Sequence, residues 1–504
     1  MKIVYLLIIF FALTGNLHSQ GSKIINFGRA NQSTNCSDGY IDSIGNSIAL
    51  FYNNYSGFMI GSFDSNYNVN WILNFGQDVG ADGKLIKLSN GDFFAFGGGH
   101  LFKFNSVGTI LWHKALVGET IQITQCLEMS NGNIAIIGKY GAGPIFSVFD
   151  VNGELLFSKK ISDGHTSNFH YDLIKTNDGN HLLIGGCQDN SHDRRLALTK
   201  FDSNFNILWE KCFEYNAANY IQNSIQSSTN DFYFVGKSAN LANTSFNEFD
   251  LSILKFNEFG NYLKGKTYGS DFHDEGMDIA ESGLSKSGVL TIIGHSKPVE
   301  ICGDNLLVVS INSNLDTLFT KHYGSSIGSG SYYTELHTVN DSLYSFGSYS
   351  FWSNIGTTDG HLIKTGEQFD LECGFYKNGL EYSSNLDFTE IPSPFSYSNM
   401  VVSVSDSIFV SSSSINVSDA CNGQSLGIIS IDQINWMVLP NPTDNSCTIS
   451  GSKIGELISI LTLDGKSCKT VIANESETQI DLSELSSGVY FVKIGEAQKR
   501  LIKK

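Results

Sequence analysis

Methionine and proline are scarce, with six of each in 504 residues, and Lys and Arg together number 32 against 50 Asp and Glu. The formal net charge of −18 excludes nucleic acid or an anionic membrane as the main partner, because both attract clustered cations. No CxxC pair and no zinc spacing connects the nine cysteines, an odd number that leaves at least one thiol free or shared between chains. HExxH is absent, and the twelve histidines are scattered. Glycine, phenylalanine and tyrosine are abundant instead, at 50, 35 and 21 residues. That balance favours aromatic-rich strands joined by glycine turns over helices, so the chain reads as all-β. Its length exceeds one ordinary core and fits a large repeat array or two to three domains.

The opening "MKIVYLLIIFFALTGNLHSQ" has one early Lys, an apolar run from Ile3 to Leu13, then small and polar residues. This is the layout of a secretory signal, and the run is too short for a good membrane span. Residues 1–19 are therefore expected to be removed, with cleavage near Ser19 leaving Gln20 at the new terminus. No Cys follows the run closely, which argues against a lipid-modified amino terminus.

A repeat organises the rest. "SFDSNYNVNW" (Ser62 to Trp71) returns as "KFDSNFNILW" (Lys200 to Trp209), inside a unit clearest from Tyr171 to Phe213. That unit holds four apolar runs, "YDLIKT", "HLLIGG", "LALTKF" and "ILWEKCF", with Asn-Asp-Gly and Asp-Ser-Asn as tight turns. Second strands recur as "SNGDFFAFGGG", "SNGNIAIIGKY", "STNDFYFVGKS", "KSGVLTIIGHS" and "VNDSLYSFGSY". Weaker matches begin at Ile44 and Val404, giving eight units of about 51 residues between Phe51 and Ser411. Four-stranded antiparallel units without intervening helices predict a β-propeller over 20–435, with eight blades favoured and seven also fitting because unit seven is weak. The Phe and Trp of the repeat are expected to pack between blades. The last unit lacks a fourth strand, and "SKIINFG" (Ser22 to Gly28) resembles one, so the amino terminus is expected to close the ring there.

Links between strands one and two, and three and four, are tight. The other two classes lengthen and emerge on one face, which is where binding is expected. Two stretches there carry chemistry. "DNSHDRR" offers His192, Asp193, Arg194 and Arg195 as candidate ligand-binding residues. "SDFHDEGMD" offers Asp271, His273, Asp274 and Asp278 as a candidate calcium site, although it lacks the alternating Asp spacing of an EF-hand, and plain solvation also accounts for it. No other cofactor is indicated. "GNYLKGKT" (Gly260 to Thr267) fits the phosphate-loop pattern and "GSSIG" (Gly324 to Gly328) fits GxSxG, but neither is followed by the helix its chemistry requires. No catalytic residue is assigned.

From Trp436 the composition changes, and short runs such as "CTIS", "LISILTL", "TQIDLS" and "VYFVKI" predict a separate small β-sandwich over 436–504. Its "LPNPT", "LDGK", "LSSGVYFVKI" and basic "KRLIKK" resemble the type A sorting domain of type IX secretion cargo in Bacteroidota. The resemblance implies that Pro440, Asn441, Pro442, Gly488, Tyr490 and Lys493 belong to the sorting signal, and that the partner is the secretion machinery. It further implies a secreted or outer-membrane-surface location, with the domain commonly cleaved. The upstream units resemble propeller repeats of exported proteins in the same bacteria through "KTYGSDFHDEG" and "SGVLTIIGHS". Four Asp-Ser/Thr-apolar triplets, at Asp42, Asp316, Asp341 and Asp406, look like O-glycan acceptors of those cells.

The expected function is non-catalytic binding of a glycan, a polymer or another protein through the long-loop face. The alternative is an enzyme on the same scaffold, a glycosidase or quinoprotein-like dehydrogenase, since "NSVGTILW" looks like the turns of those repeats.

Overall fold

The computed structural model describes residues 23–28, 34–53, 57–76, 79, 83–117, 121–140, 143–162, 169–188, 194–215, 219–239, 249–269, 273–282, 288–296, 305–324, 331–339, 342–349, 359–366, 375–378, 382–386, 388–391, 396–400, 403–406, 411–412, 416–419, 437–439, 443–450, 454–462, 466–475, 477–494 and 497–504. The chain divides into two compact units, Met1–Asn422 and Gly423–Lys504. The expected signal segment and its cleavage point lie outside the described residues.

The first unit is an all-β propeller. Blade one is the antiparallel meander Thr34–Ile41, Ser47–Asn53, Gly57–Phe63 and Val69–Gly76. Blades two to six repeat it, starting at Gly83, Ile121, Phe169, Asn219 and Asp274. Blade seven takes three strands from Ser331–Val339, Ser342–Tyr349 and Asp359–Gly366, and its fourth is Lys23–Gly28 from the amino terminus. First strands neighbour one another around a closed cycle, so they line the centre.

Each unit repeats the same local chemistry. The turn between strands three and four opens with Asp or Asn in six blades: Asp64, Asn105, Asp150, Asp202, Asn257 and Asn312. The side chain of that residue accepts from backbone N–H groups two and four residues on. In six of the first strands a β-bulge inserts one residue, as between Gly276 and Asp278. The bulge explains the glycine that ends "AIIG", "YFVG" and "TIIG": a Cβ on Gly236 would overlap the Tyr220 carbonyl pushed inward opposite it. The residue after the bulge then ties blades together. Asp38 accepts from Leu85 N, Asp172 from Gln125 Nε2 and Ser224 Oγ, and Asp278 from Leu336 N. Burial pushes the Asp172 carboxyl up, opposed by those hydrogen bonds.

Apolar clusters lie between successive blades. Phe51, Phe63, Phe346 and Leu362 join blade seven to blade one, while Phe213, Phe234 and Phe256 join four to five. This bears out the packing expected of the repeated Phe and Trp.

Among the described residues seven blades make the ring, the alternative count the sequence allowed, rather than the favoured eight. The stretch read as an eighth unit is instead a peripheral belt. Phe375–Asn378, Tyr382–Leu386, Phe388–Ile391, Ser396–Asn399, Ser403–Asp406, Ser411–Ser412 and Asn416–Asp419 add a fifth strand to blades six, five, four, three, two, one and seven in that order. Closure by the amino terminus therefore occurs one unit earlier than expected, at blade seven. Lys23–Gly28 sits between Asp359–Gly366 and the last belt strand.

The second unit packs a sheet of Met437–Leu439, Ser446–Ser450 and Glu477–Asp481 on one of Ser467–Ile472, Leu457–Leu461, Gly488–Ile494 and Ala497–Lys503. Tyr490, Val492 and Ile494, alternate residues of one strand, enter the shared core with Ile449, Ile460 and Leu501. This is the small sandwich expected of it.

Candidate functional site

Strands two end, and strands three begin, on the face that carries the long links. The end of Phe232–Ala239, with the starts of Phe249–Phe256, Asn219–Gln226 and Asp274–Glu281, meets there between blades five and six. They gather Tyr220, Gln222, Lys237, Phe249, His273 and Glu275.

Glu275 is the hub. Lys237 Nζ donates to its Oε2 at 2.8 Å and Gln222 Nε2 to its Oε1 at 2.6 Å, with His273 Nε2 3.3 Å from Oε2. Burial acts to raise the Glu275 pKa, but the hydrogen bonds from His273, Lys237 and Gln222 outweigh it and hold the carboxyl at about 2. The carboxylate is buried while Lys237 and His273 stay partly open to solvent. Lys237 Nζ also lies 5.5 Å from the Tyr220 ring centre and 5.2 Å from that of Phe249. Phe249 stands edge-on to both Tyr220 and His273, at 5.7 and 5.6 Å. The result is a rigid polar cluster flanked by aromatic rings, with donors and an acceptor close together.

Of the residues singled out in the sequence, His273 joins this cluster. Asp274 and Asp278 belong to a strand rather than a loop, and Asp278 is committed to Ile279 N and Leu336 N. Among the described residues no group of three or more His, Cys, Asp or Glu is placed to hold a metal ion, and Asp271 lies outside them. Arg195 pairs across the sheet with Glu214 at 3.0 Å. Arg194 is opposite Gln188, and His192 and Asp193 lie outside the described residues. The phosphate-loop match falls on a turn and a fourth strand, Tyr262–Gly269. Of the glycan-acceptor triplets, Ser43 and Thr317 are exposed and Leu343 is buried.

Lys237, Gln222, Tyr220 and Phe249 were not singled out by the sequence. Lys237 follows the bulge-facing glycine in "FVGKS", a place that also holds Lys139 in "IIGKY" and Gly, His or Ser in other units, so its letter alone did not mark it.

In the second unit, Thr443 of "LPNPT" bridges to Lys503 of "KRLIKK", and Lys504 N donates to Thr443 O at 2.8 Å. The two ends of the sorting signature are thus neighbours. Gly488 pairs with Lys503, Tyr490 Oη donates to Ser486 O at 2.8 Å, and Lys493 pairs with Gln498. Pro440, Asn441 and Pro442 lie outside the described residues.

Residues 437–504 match the family model "Secretion system C-terminal sorting domain". The chain is cargo of the type IX secretion system, and its fold is that of propeller proteins. Similar solved structures include PorZ, a surface component of that system from Porphyromonas gingivalis, at 12% identity and TM-score 0.36 over 92% of this chain and 58% of that one. YCF48 from Cyanidioschyzon merolae matches at 9% identity and TM-score 0.37 over 68% and 99% of the two chains. A family 25 polysaccharide lyase, an ulvan lyase, matches at 8% identity and TM-score 0.46 over 69% and 95%. No curated protein matches.

Proposed function

We propose that this chain is a secreted or cell-surface propeller that binds a glycan, without catalysis, through the Lys237–Glu275 cluster on its long-loop face. The observation that carries the reading is the cluster itself. Sugars present hydroxyls beside C–H faces, and they suit a site where an ammonium, an amide, an imidazole and a carboxylate sit among aromatic rings. A buried carboxylate already held by three partners is also pre-organised, which reduces the entropy lost on binding. The sorting domain supports delivery to the surface by the type IX machinery, after a signal peptide has carried the chain to the periplasm. Release from the cell and attachment to surface lipopolysaccharide are both consistent with that route.

A glycan array on the purified chain tests this, with Tyr220→Ala and Lys237→Met beside the parent. A retained glycan should bind about tenfold more weakly to either variant. An array without binding, or binding indifferent to both changes, contradicts the reading. Turnover in parallel hydrolase and dye-linked dehydrogenase screens would favour the enzyme alternative.

A further inference from the structure

Two of the twelve scattered histidines meet in blade two. Only Gly98 and Gly99 separate strands two and three there, so His100 opens strand three at the long-link face. His113 stands diagonal to it on strand four, since His100 pairs with Ala115 and His113 with Phe102. That register puts both imidazoles on one face of the sheet, and His100 Nδ1 lies 3.0 Å from His113 Nε2. Phe102 stacks on the His113 ring at 4.4 Å, and Phe75 of blade one stands edge-on to it at 6.0 Å. His113 is buried, while His100 is half-buried. Other blades fill the same two places with Met59 and Ile72, Ile145 and Ser158, or Leu307 and Thr320. Propeller packing therefore does not require two imidazoles there.

Two neutral imidazoles facing each other share one N–H. Moving that hydrogen to the other nitrogen of its ring leaves both facing nitrogens as lone-pair donors, with no net change in protons. At an imidazole–metal distance of about 2.05 Å, nitrogens 3.0 Å apart subtend roughly 94° at the ion. A tetrahedral pair would stand about 3.3 Å apart, so the spacing suits tetragonal Cu(II) better than zinc. We propose that His100 and His113 form a two-imidazole Cu(II) site at the junction of blades one and two, with water in the remaining coordination positions. The ion sits to one side of the line between the nitrogens, and both rings turn towards it about χ2, a broad torsion for histidine. Phe75 and Phe102 hold the His113 ring, which lowers the cost of ordering the chelate. Two imidazoles suffice for that chelate, although among the described residues no third His, Cys, Asp or Glu joins them.

The test takes the full chain, freed of metal by dialysis against EDTA, and titrates it with Cu(II) alone, followed by calorimetry and electron paramagnetic resonance. The proposal expects saturable binding of one Cu(II) per chain, with hyperfine coupling to two nitrogens. His113→Phe, which keeps a ring in the stack, and His100→Gln should each weaken that binding at least about tenfold. Absent binding, or a spectrum without coupling to two nitrogens, overturns the proposal on the parent chain, whether or not the variants fold. Binding that both variants retain at the parent's affinity would place the copper elsewhere, reduce the pair to a structural hydrogen bond, and equally overturn the proposal.

Discussion

At the scale of single residues, the repeat is a matched set rather than a copied one. Trp71, Trp112 and Trp209 each lie against a left-handed glycine in the next blade's turn, Gly108, Gly153 and Gly260. Where the preceding blade has Phe157 or Lys264 at that place, the turn residue becomes Phe205 or Leu315, still at positive φ. Phe205 then fills the gap itself, 4.6 Å from Phe146. One large side chain per junction is the rule, and it predicts compensation. Gly260→Phe should cost about 3 kcal/mol through strain and overlap with Trp209. Adding Trp209→Lys should recover at least about 1 kcal/mol of it in a double-mutant cycle followed by denaturant unfolding. Additive losses would refute the pairing.

A second residue-scale expectation concerns pH. His181 is fully buried and stacked on Phe201 at 5.4 Å, and burial, reinforced by Lys175, lowers its pKa from 6.5 to about 4. Its folded value lies below its unfolded one, so the unfolded chain takes up the proton first as pH falls. The stability is whole above pH 6.5 and is lost towards pH 4. Between pH 6.5 and 4.5 the parent should lose about 2 kcal/mol that His181→Phe does not. Parallel pH profiles of the two proteins would count against this account.

At the scale of elements, the ring's closure rests on one strand held from both sides. Removing residues 1–28 takes Lys23–Gly28 from between Asp359–Gly366 and Asn416–Asp419, and both then expose unpaired edges. The shortened protein should melt lower or elute as aggregate, and an unchanged melting curve with monomeric elution would contradict closure here. Strands, tight turns and the spare terminal strand were legible because their signals are local: Asn, Asp and Gly at fixed places, and apolar alternation. The belt was not, because each of its short strands pairs with an outer strand far away in sequence. Gly324, Gly269, Glu214, Ser162 and Val117 face Phe375, Tyr382, Thr389, Ser396 and Ser403, which advance by seven residues. Short Ser-rich runs such as "SYSN" and "SVSD" carry little strand signal of their own, and "VSDSIFVSSSS" imitated a second strand well enough to suggest an eighth unit. The Lys237–Glu275 cluster was illegible for a related reason. It joins residues of two blades that only the ring brings together.

At the scale of the whole molecule, a propeller followed in sequence by a separate sandwich divides labour, on the reading proposed above, between a binding ring and an address. The sandwich has its own core, with Cys447, Ile458, Ile480 and Val492 buried, and its signature ends meet at Thr443 and Lys503. Deleting residues 436–504 should therefore leave a folded ring. Localisation in a cell with a working type IX system is the most direct measurement. The account predicts that the truncated chain stays in the periplasm, and that residues 436–504 behind a signal peptide and an unrelated domain bring that domain to the surface. A truncated chain that still reaches the surface would contradict it.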